Sequence, residues 1–155
     1  MYEDRIEQAR QNFLDGYNCT QSVVLAFADL YDLTPELALR ISASFGGGMA
    51  RMRLVCGTVS GMFLLAGLET GCQDPKDREG KTYNYQVVRD LANRFQEKVG
   101  SLICAEILGL KGAERSAMPS ERTQEYYKKR PCADIVKTAA RIFADFLENE
   151  KLKEK

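Results

Sequence analysis

The chain has 155 residues, with 22 basic and 22 acidic side chains, 45% hydrophobic residues and no histidine. That length and apolar content suit one domain around one core, and a net charge of zero leaves no basic footprint for nucleic acid. Without histidine there is no Cys-His nucleophile pair, no imidazole metal ligand and no ordinary neutral-pH general base. The five cysteines are the remaining candidates for chemistry.

Helical periods follow one another along the chain and no stretch alternates as a half-buried strand does, which predicts an all-α, single-domain helical bundle of about six or seven helices spanning 1–155. The opening MYEDRIEQAR is acidic and amphipathic, unlike an export signal. A cytoplasmic protein is expected, its cysteines mostly reduced thiols. The first helix covers residues 2–14, with Ile6, Ala9 and Phe13 on one face. A second starts at Asn18, aligns Val23, Phe27 and Leu30, and stops before Thr34. TPELALRISASF opens the third with a Thr cap and Pro at the first helical position, and Gly46, Gly47 and Gly48 end it. The fourth, residues 54–69, is apolar on nearly every side and reads as the central helix; its run 55–68 is too short to span a membrane. Gly57 and Gly61, one turn apart, leave a groove for a backbone or a bound group.

Cys72 lies in a polar loop and reads as incidental. The fifth helix covers 82–99, with Tyr85, Val88, Leu91, Ala92 and Phe95 inward, and a short sixth covers 101–108. The polar stretch 111–130 is a surface helical turn at 120–129 or an excursion. The last helix runs over 131–149 with Ile135, Ala139, Ile142, Phe143 and Phe146 buried, followed by a frayed tail from 150.

On this map Cys19, Cys56, Cys104 and Cys132 each fall in the first turn of a helix, where free N–H groups and the helix dipole favour a thiolate. Arg51 and Arg53 add positive charge near Cys56, which makes Cys56 the expected low-pKa thiol. The glycines at 46–48 can turn successive N–H groups inward as an anion-holding nest. Each feature also has a structural reading: buried cysteines pack as small hydrophobes, glycine runs terminate helices, and loop arginines are solvated. No C-x-x-C occurs, so any grouping of thiols must come from the fold.

The stretches GYNCTQSVVLAF, SFGGGMARMRLVCGTVSG, GSLICAEILG and CADIVKTAA resemble the redox-active protein family named for its pattern, C_GCAxxG_C_C. The resemblance covers nearly the whole chain and assigns Cys19, Cys56, Gly57, Gly61, Cys104 and Cys132 to the signature, with Thr58 where the pattern has Ala. It implies a small helical protein suspected of redox activity or of holding a prosthetic group, and an oxidoreductase or transporter as partner. Three functions stay open. Four thiolates can hold an iron-sulfur cluster or zinc, with Arg51, Arg53 and the glycine N–H groups tuning it. Cys56 can instead attack as one half of a thiol-disulfide pair. The third is a non-enzymatic helical accessory module with structural cysteines.

Overall fold

Side-chain caps at Asn18, Thr34, Asp77 and Thr123 set four of the helix starts in this computed structural model, which describes residues 1–153. The first helix, α1 (Glu3–Leu14), buries Ile6, Ala9 and Phe13 as its period predicts. Asn18 caps α2 (Cys19–Phe27): its carboxamide oxygen accepts the Gln21 N–H, and the Gln21 side chain accepts the Asn18 N–H. From Ala28 to Tyr31 the chain tightens into a 3₁₀ turn, which carries Leu30 off the Val23–Phe27 face to 40% exposure. Thr34 accepts the Leu37 N–H and starts α3 (Pro35–Ser42).

The central helix α4 (Gly57–Thr70) keeps Val59, Met62, Leu65 and Ala66 fully buried. It starts later than its apolar run suggests, because Val55 is extended and forms an isolated antiparallel bridge with Ile103. Helix α5 (Arg78–Val99) starts four residues before the expected 82, at the cap Asp77, whose carboxylate accepts the Gly80 N–H. Its buried stripe is Val87, Leu91 and Phe95. Tyr85, expected inside, is 65% exposed: it sits two residues from Val87, about 200° around the helix. Two short helices follow, α6 (Cys104–Leu108) and α7 (Gln124–Lys129), the second capped by Thr123. The first of these begins at Cys104 instead of 101, since Ser101 accepts the Ile103 N–H and the chain stays extended up to it.

Helix α8 (Cys132–Lys153) buries Ile135, Ala139, Ile142, Phe143 and Phe146. It continues through 150–153, where a frayed tail was expected; residues 154–155 of that tail lie outside the described residues. In the core, Phe27 of α2 meets Phe143 of α8 edge to face with centroids 5.1 Å apart. A side-chain carbon at Gly61 would lie 3.0 Å from Val23 Cβ, so the groove read from Gly57 and Gly61 is filled by α2. No helix among the described residues is long and apolar enough to cross a membrane.

Candidate functional site

Cys19, Cys104 and Cys132 are the first residues of α2, α6 and α8, and Cys56 is the residue that precedes α4. The backbone brings two of these starts together directly. Around the Val55–Ile103 bridge, the Cys56 N–H donates to Leu102 O (2.7 Å) and the Cys104 N–H to Leu54 O (2.6 Å). Alternation along such a pairing puts the Cys56 and Cys104 side chains on one face as diagonal neighbours. Cys19 approaches from α2, its sulfur resting on the backbone at Gly57; a Cβ there would lie 2.2 Å from Sγ. The four cysteines line one cavity of about 70 Å³, together with Gly47, Arg53, Gly57 and Thr58.

The loop before Cys56 has an unusual backbone. Gly47, Gly48, Met49, Ala50 and Arg51 all have positive φ (70°, 68°, 66°, 51° and 66°), one turn of left-handed helix, and Arg53 follows at 59°. For a residue with a Cβ that conformation costs about 1–2 kcal/mol. Hydrogen bonds hold the turn closed: Arg53 N–H to Gly47 O (3.3 Å) and Leu54 N–H to Gly48 O (2.9 Å). Close approach explains the glycines. A Cβ on Gly46 would lie 2.5 Å from Asn18 Cγ, and one on Gly48 would lie 2.6 Å from Cys104 Cβ. The Gly47 N–H favours the thiolate of Cys19.

Burial overrides the helix-start effect on the thiols. It pushes Cys56 up to about 12, with the charge of Cys19 acting the same way, and Thr58 partly opposing them through its N–H and its hydroxyl, 3.2 Å from the sulfur. Cys132 is also pushed up to about 12 by burial and by Cys19 and Cys104, against Arg130 and Arg53. Cys19 is raised by burial as well, with the Gly47 and Thr20 N–H groups opposing it. The expectation of a low-pKa Cys56 is therefore corrected: Cys56 is buried, whereas Cys19 and Cys132 are half-buried.

The arginines also differ from expectation. Arg53 Nη1 donates to Cys104 Sγ at 3.6 Å, not to Cys56, and Nη2 pairs with Glu114 at 3.4 Å. Arg51 pairs with the same carboxylate at 3.8 Å and donates to Met118 O. The stretch 111–130, read as surface, is thus strapped over the loop. Arg122 pins its far half, donating to Phe13 O (2.8 Å) and Tyr17 O (3.0 Å) while its guanidinium lies 4.1 Å from the Phe13 ring centre. Arg122, Tyr126 and Arg130 line the thiol cavity and were missed. Their one signal was the interleaving of basic and aromatic residues in RTQEYYKKR. Cys72 lies apart, donating to Asp77 Oδ2 at 3.3 Å.

Four thiolates suit tetrahedral zinc or an iron-sulfur cluster, but among the described residues no three His, Cys, Asp or Glu side chains group as a set that could hold a metal ion. No curated protein and no solved structure matches the chain. A family model described as "Putative redox-active protein (C_GCAxxG_C_C)" matches residues 17–146, a span that contains all four cavity cysteines.

Proposed function

The chain belongs to the C_GCAxxG_C_C family of redox-active proteins, and from that premise we propose that it performs thiol-disulfide exchange through Cys19 and Cys56. One observation carries the reading: Cys19, a less buried residue than Cys56, has its sulfur against the backbone of Gly57, the residue next to Cys56, where the Gly47 N–H favours its thiolate. A thiol that must attack has to be reached and has to form a thiolate. Cys19 is the less buried residue of the two and has two N–H groups, of Gly47 and Thr20, favouring its thiolate, whereas Cys56 has that of Thr58 and is buried, which suits it to resolve.

The Cys19 thiolate attacks one sulfur of a substrate disulfide, that S–S bond breaks, and the departing thiolate takes a proton. Cys56 then loses its proton and attacks Cys19 Sγ in the mixed disulfide. The Cys19–Cys56 bond forms and the second substrate thiol leaves. Two electrons and two protons pass from the protein to the substrate, and the reverse sequence oxidises a dithiol. The reaction belongs in a reducing cytoplasm, where an oxidoreductase or transporter partner would recharge or use the pair.

Peptide mass mapping after mild oxidation tests this. A Cys19–Cys56 cross-link is expected, lost in Cys19→Ser, while Cys56→Ser accumulates a mixed disulfide on Cys19, and Cys104→Ser and Cys132→Ser still form the bond. Iron or zinc near cluster stoichiometry in protein purified without oxygen, lost on replacing any of the four cysteines, would overturn the exchange reading in favour of a metal centre.

A further inference from the structure

Beside the thiol cavity lies a wider one of about 310 Å³, and the two share Asn18, Gly47, Arg53, Arg122 and Tyr126. The 70 Å³ thiol cavity has room for a few water molecules and no organic substrate. Its neighbour reaches the low end of the range for small-molecule sites, about 300–1,000 Å³. Arg51, Arg53 and Arg122 all line it, and a guanidinium stays charged in a protein.

Among the described residues Glu114 is the one carboxylate paired with these three, and its two oxygens divide between Arg51 (3.8 Å) and Arg53 (3.4 Å). Arg122 spends its donors on neutral carbonyls. Arg53 is 8% exposed, and its Nε and that of Arg51 are buried with no hydrogen-bond partner. A buried guanidinium with an orphaned donor is costly unless an anion completes it. Glu114 sits where such an anion would, and its long contacts fall short of the about 2.7–2.9 Å of a good charged pair.

We infer that this cavity binds a low-molecular-weight disulfide whose halves carry carboxylates, holding a carboxylate on Arg51 and Arg53 and offering its S–S bond past Asn18 and Gly47 to Cys19. The inference rests on the exchange reading and names its substrate class. A cavity of about 310 Å³ has the size for a small molecule and not for a protein disulfide.

Three small disulfides of different charge test it: oxidised glutathione (anionic), 2-hydroxyethyl disulfide (neutral) and cystamine (cationic), compared on Cys56→Ser protein by the rate of mixed-disulfide formation on Cys19 followed by mass. The anionic probe is expected to react fastest and the cationic one slowest. Arg51→Gln should lower the glutathione-to-hydroxyethyl rate ratio by about tenfold, the loss of one charge-assisted hydrogen bond. Glu114→Gln, which removes the internal competitor, should raise it. Binding is read separately with S-methylglutathione, which cannot exchange, by calorimetry on Cys19→Ser protein: it should bind, more weakly with Arg51→Gln added and more tightly with Glu114→Gln. Equal rates for the three disulfides, or no binding of S-methylglutathione, would overturn the inference. Binding of S-methylglutathione without exchange by any disulfide would sink the exchange reading and leave the carboxylate pocket standing.

Discussion

The bundle core and the cysteine cavity use the same helices for opposite ends. Where α2 meets α8, Phe27 and Phe143 are fully buried and interlock edge to face. Where α2 meets the start of α4, the backbone itself comes close, the glycines carry no side chain, and the thiols are buried in a form that resists ionisation. The preceding loop adds a left-handed turn through three residues that have a Cβ. Stability gained in the first region holds the strained second one, so mutations in the two should separate stability from reactivity.

The largest effect tests that separation. Phe143→Ala should cost about 3–5 kcal/mol by emptying the core, yet leave the Cys19 alkylation rate unchanged in the molecules that stay folded. Gly57→Ala should cost less, about 1–3 kcal/mol, but its Cβ would lie 2.2 Å from Cys19 Sγ, 2.6 Å from Thr20 Oγ1 and 3.2 Å from Phe45 O. One or more must move, so the Cys19 alkylation rate should change manyfold. Denaturant midpoints and native-state alkylation of both variants check this; a Gly57→Ala protein with wild-type Cys19 reactivity would contradict it.

A smaller effect follows from the buried thiols. Cys56 and Cys132 are raised from 9.0 to about 12, and Cys19 is also raised. Between pH about 9 and 12 the unfolded chain loses these protons while the native protein keeps them. The native state then binds more protons, so unfolding becomes more favourable as pH rises. Below pH 9 both states hold the protons and the stability is fully present. Under reducing conditions the denaturant midpoint should fall from pH 9 to 11, and less steeply in Cys56→Ala; a midpoint independent of pH there would mean the cavity is open to water.

The two regions were also unequally legible in the sequence. The core helices follow from local signals: the caps Asn18 and Thr34, and the 3.6-residue period of Ile135, Ala139, Ile142, Phe143 and Phe146. The cavity depends on pairings far apart in the chain. Residues 54–56 look helical because they are apolar, and pairing with the distant residues 102–104 holds them extended. Arg53 was assigned to the nearby Cys56, but the turn of the backbone sends it to Cys104, 51 positions away. The left-handed turn had a signal at Gly47 and Gly48 and none at Met49, Ala50 or Arg51, residue types that rarely adopt it. Cys56 was misjudged because a helix start is local and burial is not.

The smallest expected effect lies at the strap. Arg122 reaches from the 111–130 stretch to Phe13 O and Tyr17 O at once and stacks between Phe13 (4.1 Å) and Tyr126 (5.2 Å). A planar fork can do this; the single ammonium of lysine cannot. Arg122→Lys should therefore keep the charge but lose one carbonyl bond, a change of about 0.5–1.5 kcal/mol. Because Arg122 and Tyr126 also wall the thiol cavity, the consequence should fall on access: alkylation of Cys19 and Cys132 several-fold faster, that of Cys72 unchanged, and the melting temperature little moved. Equal acceleration at Cys72 would mean the whole bundle had loosened, and would make the strap part of the core and not a cover over the thiols.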